Sequence, residues 1–139
     1  MMAMDIPEHM IELPHGYTYS AHPVACAAAL AALNVFQDDQ MVAKAQALAP
    51  VLEETLHRLR GHPHITDIRN FGLAGALQIA PRDGDPVIRP FELGIKCWEM
   101  GLYVRWGGDT LQFGPPFTAD QEDVRSIATI VGAALEQVS

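Results

Sequence analysis

The sequence predicts an α+β fold in which helices cover one face of a small, mostly antiparallel sheet. Apolar residues recur at helical spacing in four segments, and shorter strand-like runs lie between the second segment and the last. The chain of 139 residues has the length of one domain, and its apolar content of 49% is enough to bury a core. These observations favour a layer of helices packed on a sheet.

The first predicted helix runs from Pro23 to about Phe36, because proline is tolerated in the first helical turn. Ser20 or His22 is the expected cap, and the alanine-rich sequence allows a neighbouring element to approach closely. Residues 1–22 are predicted to be irregular, and Pro7 and Pro14 punctuate their first part.

The second predicted helix runs from about Asp39 to Leu59. We expect Pro50, which lies inside it, to kink or divide it. Its apolar stripe follows three- and four-residue spacings and comprises Met41, Val42, Ala45, Leu48, Val51, Leu52, Leu56 and Leu59.

Two strands are predicted next, over 65–71 and 73–79. A third helix is predicted from Pro90 to Met100 and should end at Gly101, because glycine accepts the left-handed conformation common after a helix.

A short hairpin and a last helix complete the predicted fold. The hairpin strands are 102–105 and 110–113, with Gly107–Asp109 as their turn. Thr118 or Asp120 is expected to cap the last helix, which should run to about Val138.

Composition excludes several classes of function. The net charge of −8, from nine basic and seventeen acidic residues, argues against nucleic-acid binding, which needs a basic surface. The first residues do not resemble a signal peptide, and no run approaches the roughly 20 apolar residues needed to span a bilayer. A cytoplasmic protein without membrane contact is therefore expected.

Cys26 and Cys97 are predicted to be reduced, buried thiols.

The first candidate site is the run that precedes the first helix, His15-Gly16-Tyr17-Thr18-Tyr19-Ser20-Ala21-His22-Pro23. Free backbone N–H groups and the positive end of the helix dipole suit a phosphate or carboxylate there, and Thr18 can donate its hydroxyl. The alternative is an ordinary helix start whose hydroxyls cap the local backbone.

The second candidate site is Arg105, at the end of a predicted strand and closely followed by two glycines. A guanidinium placed there can aim its planar fork at a carboxylate. The alternative is a surface or ion-paired arginine beside a tight turn.

We expect Arg69 to pair with a carboxylate. The histidines show no metal-ligand spacing, so no metal site is predicted, and His62 and His64 are interpreted as loop surface residues.

Both candidate segments resemble class III pyridoxal-phosphate (PLP) aminotransferases, most closely the ω-amino acid–pyruvate (β-alanine–pyruvate) branch. The family carries a His-Gly-x-Thr-x-Ser-x-His-Pro pattern, which this chain matches. The residue before His-Pro is usually glycine in the family and is Ala21 here, a small departure. The resemblance implies that Thr18 hydrogen-bonds the PLP phosphate of the neighbouring subunit. It also implies that Arg105, followed by Gly-Gly-Asp-Thr-Leu-Gln-Phe-Gly-Pro, binds the substrate carboxylate and can move aside.

The resemblance covers nearly the whole chain but only the C-terminal portion of a full family member. Lys44 and Lys96 are the only lysines, and neither matches the lysine that bonds PLP. Residues 23–139 are thus expected to form the C-terminal small domain of a fold-type I PLP-dependent transferase, with residues 1–22 contacting another part of that enzyme.

The resemblance further implies a large PLP-binding domain or a second subunit as partner, and a homo-oligomer is expected. The chain alone is not expected to hold PLP or to transaminate. The alternative is a stand-alone, non-catalytic binding or interaction module that retains the small-domain fold.

Overall fold

The computed structural model describes residues 18–138. The chain divides into two compact units, Met1–Gln37 and Asp38–Ser139. Within the described residues the first unit consists mainly of one helix, and the second holds three helices and a four-stranded sheet. None of the helices in residues 18–138 is long and apolar enough to cross a membrane. The boundary predicted after residue 22 stays a prediction.

Helix α1 spans Pro23–Asp38, close to the predicted bounds. Of the two expected caps, His22 makes the contact: its Nδ1 accepts from the backbone N–H of Ala25 at 3.5 Å. None of the helix residues is buried. Its exposed large apolar side chains are Val24, Leu30, Leu33, Val35 and Phe36.

Helix α2 spans Met41–His57 without interruption, so Pro50 does not divide it, and a kink at Pro50 stays a prediction. Leu48 and Leu52, on either side of the proline, are buried in the same core. Breaking the helix would expose one of them, and this packing outweighs the lost backbone hydrogen bond. The apolar stripe predicted for this helix includes one residue too many near its start, because Val42 is 54% exposed.

The sheet contains β1 (Ile65–Phe71), β2 (Ala74–Ile79), β3 (Arg105–Gly107) and β4 (Thr110–Phe113). Their order across the sheet is β1-β2-β4-β3, and each neighbouring pair is antiparallel. The antiparallel sheet agrees with the prediction.

The predicted strand 102–105 is wrong in its extent, because β3 begins only at Arg105. The backbone N–H of Leu102 instead donates to Cys97 O at 2.8 Å. It thereby completes the end of the preceding helix, which stops at Gly101 with a φ of 89° as expected.

Helices α3 (Ile88–Glu99) and α4 (Gln121–Leu135) pack with α2 around a core that lies on one face of the sheet. The fully buried side chains include Leu52 and Leu56 of α2, Leu93 of α3 and Val131 of α4. From the sheet they meet Leu77, Ile79 and Leu111. The other face of the sheet carries no helix within residues 38–138, so the predicted one-sided layer is confirmed.

Two glycines let helices lie close to the sheet. A Cβ at Gly75 of β2 would collide with Leu56 of α2, and a Cβ at Gly94 of α3 would collide with the ring of Trp106 in β3. A side chain at either position would force Leu56 or Trp106 to move, which in a well-packed core costs roughly 1–3 kcal/mol.

Replacing the α4 cap should destabilise this unit. Asp120 Oδ1 accepts from the N–H groups of Glu122 and Asp123 at 2.7 and 2.9 Å, and Asp123 Oδ2 accepts from Asp120 N at 3.0 Å. We expect Asp120→Ala to lower the free energy of unfolding by about 1 kcal/mol, measured by urea denaturation. The matched control is Thr118→Ala at the other cap predicted from sequence, and a larger loss there would contradict the assignment.

Candidate functional site

Arg105 is an exposed side chain at the start of β3, an edge strand of the sheet. Directly paired residues in an antiparallel sheet share a face, so the pairing of Arg105 with Gln112, and of Gln112 with Ala76, places all three on the face without helices. The guanidinium makes no ion pair or hydrogen bond with residues 18–138. It is therefore available to an anion, which removes the ion-paired alternative within this part of the chain.

The next residue, Trp106, lies on the opposite face, toward the helices. Its ring meets Phe91 edge-on with centroids 5.8 Å apart and covers Gly94 of α3. This aromatic contact fixes the inner side of β3, while Arg105 on the outer side stays exposed.

The turn between β3 and β4 is shorter than predicted, since Gly107 belongs to β3 and only Gly108 and Asp109 link the strands. Gly108 has a φ of 57°, which glycine adopts without strain. The Asp109 carboxylate accepts from the Thr110 hydroxyl and from Gln78 Nε2, each at 2.8 Å. These hydrogen bonds, Thr110 first and then Gln78, lower the pKa of Asp109 below its ordinary value.

Arg69 belongs to the same cross-strand row as Arg105 but differs in its partner. Its Nε lies 3.3 Å from Asp67 Oδ2, which confirms the predicted pairing with a carboxylate. Arg69 on β1 is opposite Ala76 of β2, and two strands, β2 and β4, separate it from Arg105 on β3. The open face thus carries one paired and one unpaired arginine among the described residues.

Thr18 is exposed and lies in the turn that precedes α1. The turn is closed by a hydrogen bond from His22 N to Tyr19 O at 3.2 Å. His15 and Gly16, which open the motif, lie outside the described residues. Thr18 and Arg105 belong to different units, so each is placed only within its own unit.

Residues 18–138 do not supply a complete PLP site. Lys44 is exposed on α2, and Lys96 Nζ bonds Glu99 Oε2 at 2.7 Å on the surface of α3. Neither is enclosed by the groups that a cofactor-bound lysine needs. Thr18 offers an exposed hydroxyl and Arg105 an exposed guanidinium, either of which can contact an anion.

The interpretation of His62 and His64 as loop surface residues is wrong, because both are partly buried. Burial, more than the neighbouring charges, lowers the pKa of His64. His62 lies 3.5 Å from Glu136 through Nε2, so this loop packs against the end of the chain. Within residues 18–138 no three histidine, cysteine or acidic side chains are grouped as a metal site would require.

Sequence reasoning missed two polar residues. One is Asp109, whose partner Gln78 is 31 positions earlier in the chain. The other is Arg89, which is buried at the start of α3 and donates to the carbonyls of Ala80 and Pro81. Arg89 carried no signal in the sequence because backbone carbonyls, which every residue type has, leave no motif as hydrogen-bond partners.

Comparison with known proteins places these features in a family. The family model described as "Aminotransferase class-III" matches residues 1–135. The chain belongs to the class-III aminotransferases. It is 56% identical over 138 residues to the beta-alanine–pyruvate aminotransferase of Pseudomonas aeruginosa, and 53% identical over 137 residues to the omega-amino acid–pyruvate aminotransferase of Pseudomonas putida. It spans about a third of their length, namely 31% and 30%.

Solved structures agree with this family. The omega transaminase of Pseudomonas jessenii in complex with PMP has a TM-score of 0.80 and 28% identity, and the match covers 89% of this chain and 29% of that one. A thermostable six-fold mutant from the same organism has a TM-score of 0.82, 29% identity and coverages of 91% and 30%. The aminotransferase small-domain fold expected from the resemblance is thereby confirmed.

The two cysteines should differ in reactivity. Cys97 is buried as predicted, and burial raises the pKa of its thiol to about 11, whereas Cys26 is exposed, contrary to the prediction. Cys26 lies on α1, no residue of which is buried. At pH 8 only about one part in a thousand of Cys97 is thiolate, the reactive form.

We therefore expect a colourimetric thiol reagent to label one cysteine of the native chain rapidly and two in denaturant. Cys26→Ser should abolish the rapid phase, and Cys97→Ser should leave it unchanged. Two equally fast thiols in the native chain would contradict the burial of Cys97.

Proposed function

We propose that this chain is the C-terminal part of an aminotransferase that transfers an amino group from an ω-amino acid such as β-alanine to pyruvate. The observation that carries the proposal is the 56% identity to a beta-alanine–pyruvate aminotransferase along 99% of this chain. The chain corresponds to about a third of that enzyme, and so the activity belongs to a larger polypeptide that includes these residues.

In this proposal Arg105 binds the carboxylate of the substrate. Its guanidinium is exposed, unpaired within residues 18–138 and held on an ordered strand. A planar fork of N–H donors matches the two oxygens of a carboxylate and forms charge-assisted hydrogen bonds. Because Arg105 is exposed at the start of an edge strand, the side chain also has room to turn away from a substrate that lacks a carboxylate.

Thr18 is proposed to donate its hydroxyl to the PLP phosphate of the neighbouring subunit. Its exposed position in the turn before α1 supports this role, since its hydroxyl can face a partner. PLP, when bound, supplies the electron-withdrawing ring needed to move the amino group. The lysine that bonds PLP and the rest of its pocket are assigned to the larger polypeptide, because Lys44 and Lys96 do not fit that role.

The proposed partner is the remainder of the enzyme, either its large domain or a second subunit. Helix α1 supports this, because it exposes five large apolar side chains and buries none of its residues. Apolar surface of this kind marks an interaction site. The homo-oligomer and the cytoplasmic location stay predictions.

Arg105→Ala should lower the activity with pyruvate far more than the activity with an amine that lacks a carboxylate. The test uses the Pseudomonas aeruginosa relative with its matching segment replaced by this chain. Loss of a charged hydrogen-bonding partner should lower kcat/KM for pyruvate by roughly 10- to 150-fold and leave that for isopropylamine within a few-fold. Arg69→Ala, which removes the paired arginine of the same face, is the matched control. Equal losses for both substrates would refute the role of Arg105.

Thr18→Ala should weaken PLP binding in the same chimera. A hydrogen bond to a charged phosphate contributes roughly 1–3 kcal/mol, so the Kd measured by equilibrium dialysis should rise about 5- to 150-fold. Thr18→Ser keeps the hydroxyl and should retain most of the affinity. An unchanged Kd for Thr18→Ala would remove Thr18 from the site.

A further inference from the structure

The tip of the β3–β4 hairpin is tied to the middle of the sheet by one carboxylate. We infer that Asp109 is a positioning residue for substrate recognition: through Gln78 it holds the hairpin so that Arg105 stays aimed across the open face of the sheet. The inference rests on the proposed role of Arg105, and nothing in the sequence motif itself assigns a role to Asp109.

Three hydrogen bonds of 2.8 Å converge on Asp109. Its two carboxylate oxygens accept separately, Oδ2 from Gln78 Nε2 and Oδ1 from the Thr110 hydroxyl. Its backbone carbonyl accepts from Ile79 N. Gln78 and Ile79 are the last residues of β2, so both the side chain and the backbone of Asp109 attach the turn to that strand.

The hairpin needs this attachment because β3 is so short. It has three residues, pairs only with β4 among the described strands, and is followed by Gly108 in the turn. β4 is held to β2 along its whole length, from Thr110 opposite Gln78 to Phe113 opposite Gly75, whereas β3 joins the sheet through β4 alone. Trp106 packs the inner side of β3 on α3, and the contacts of Asp109 add a second attachment to β2 at the turn that leads from β3 into β4.

A tilt of the hairpin would move Arg105 directly. Arg105 lies at the end of β3 farthest from the turn, and its backbone partner is Gln112. Rotation about the Trp106 contact would carry the Arg105 guanidinium toward or away from the open face. A bound carboxylate accepts only a narrow range of guanidinium orientations, and so a small misplacement weakens binding.

The carboxylate is better suited to this role than an amide would be. Each oxygen of Asp109 accepts from a different element, Gln78 of β2 and Thr110 of β4. An asparagine is neutral, so its oxygen would accept from Gln78 without the strengthening that a charge gives, and its nitrogen would face the Thr110 hydroxyl, which would have to accept instead of donate. Asp109→Asn therefore loosens the attachment with almost no change in side-chain size.

The test measures kcat/KM for pyruvate and for isopropylamine in the chimera described above. In a ping-pong reaction these two values report separate half-reactions. Asp109→Asn is expected to lower kcat/KM for pyruvate about three- to tenfold, in the range of one lost hydrogen bond, and to leave the isopropylamine value unchanged. Gln78→Ala should reproduce this loss. The double variant should lose little more activity than either single variant, because both changes act on the same contact, that between Gln78 and Asp109. The matched control is Asp83→Asn, an exposed aspartate in the loop before α3.

The outcomes separate the inference from the proposed function. If Arg105→Ala discriminates between the substrates but Asp109→Asn does not, the positioning role is overturned and the function stands. Equal losses for both substrates on Asp109→Asn would show a general structural defect and also overturn it. If Arg105→Ala itself fails to discriminate, the proposed function falls first. Should Asp109→Asn not fold, as judged by circular dichroism, Gln78→Ala decides the question alone.

Discussion

The close approach of two helices to one face of the sheet is the constraint on which the rest of the structure depends. It is set at Gly75 and Gly94, where the absence of a side chain lets Leu56 and Trp106 occupy the space. With these contacts made, the apolar side chains of the sheet are buried on the helix side alone. The exposed side chains of Gln112 and Arg105 lie on the opposite face.

Local signals in the sequence were enough to predict most elements, and the errors arose where distant packing competes with a local rule. Asp120 was one of two predicted caps, and its side chain makes the capping hydrogen bonds. Pro50 was expected to kink or divide α2, but the helix is undivided, because Leu48 and Leu52 on either side of the proline are buried in one core. The start of β3 was placed too early because Leu102 closes the preceding helix, a backbone contact that no residue pattern reports.

The candidate site shows the same limit. Thr18 and Arg105 were identifiable because each lies in a contiguous motif, and the structure places both in exposed positions, Thr18 in a turn and Arg105 on a strand. Their roles stay proposals, since the partners of a phosphate or carboxylate group extend beyond this chain. Asp109 was not identifiable, because its significance depends on Gln78 in a different strand. A sequence displays the groups that contact a ligand more readily than those that hold them in place.

The strand order has a consequence for how this chain meets copies of itself. Among the described strands β1 is the longer of the two at the sheet edges, and its last residue, Phe71, is 91% exposed. An exposed edge of seven residues invites pairing with another chain, which is the first step toward fibrils. Asp67 and Arg69 interrupt that edge with opposite charges, paired to each other at 3.3 Å. Stacking a second β1 alongside would bring these charges into a crowded, partly dehydrated seam, so the ion pair acts as a gatekeeper against sheet extension.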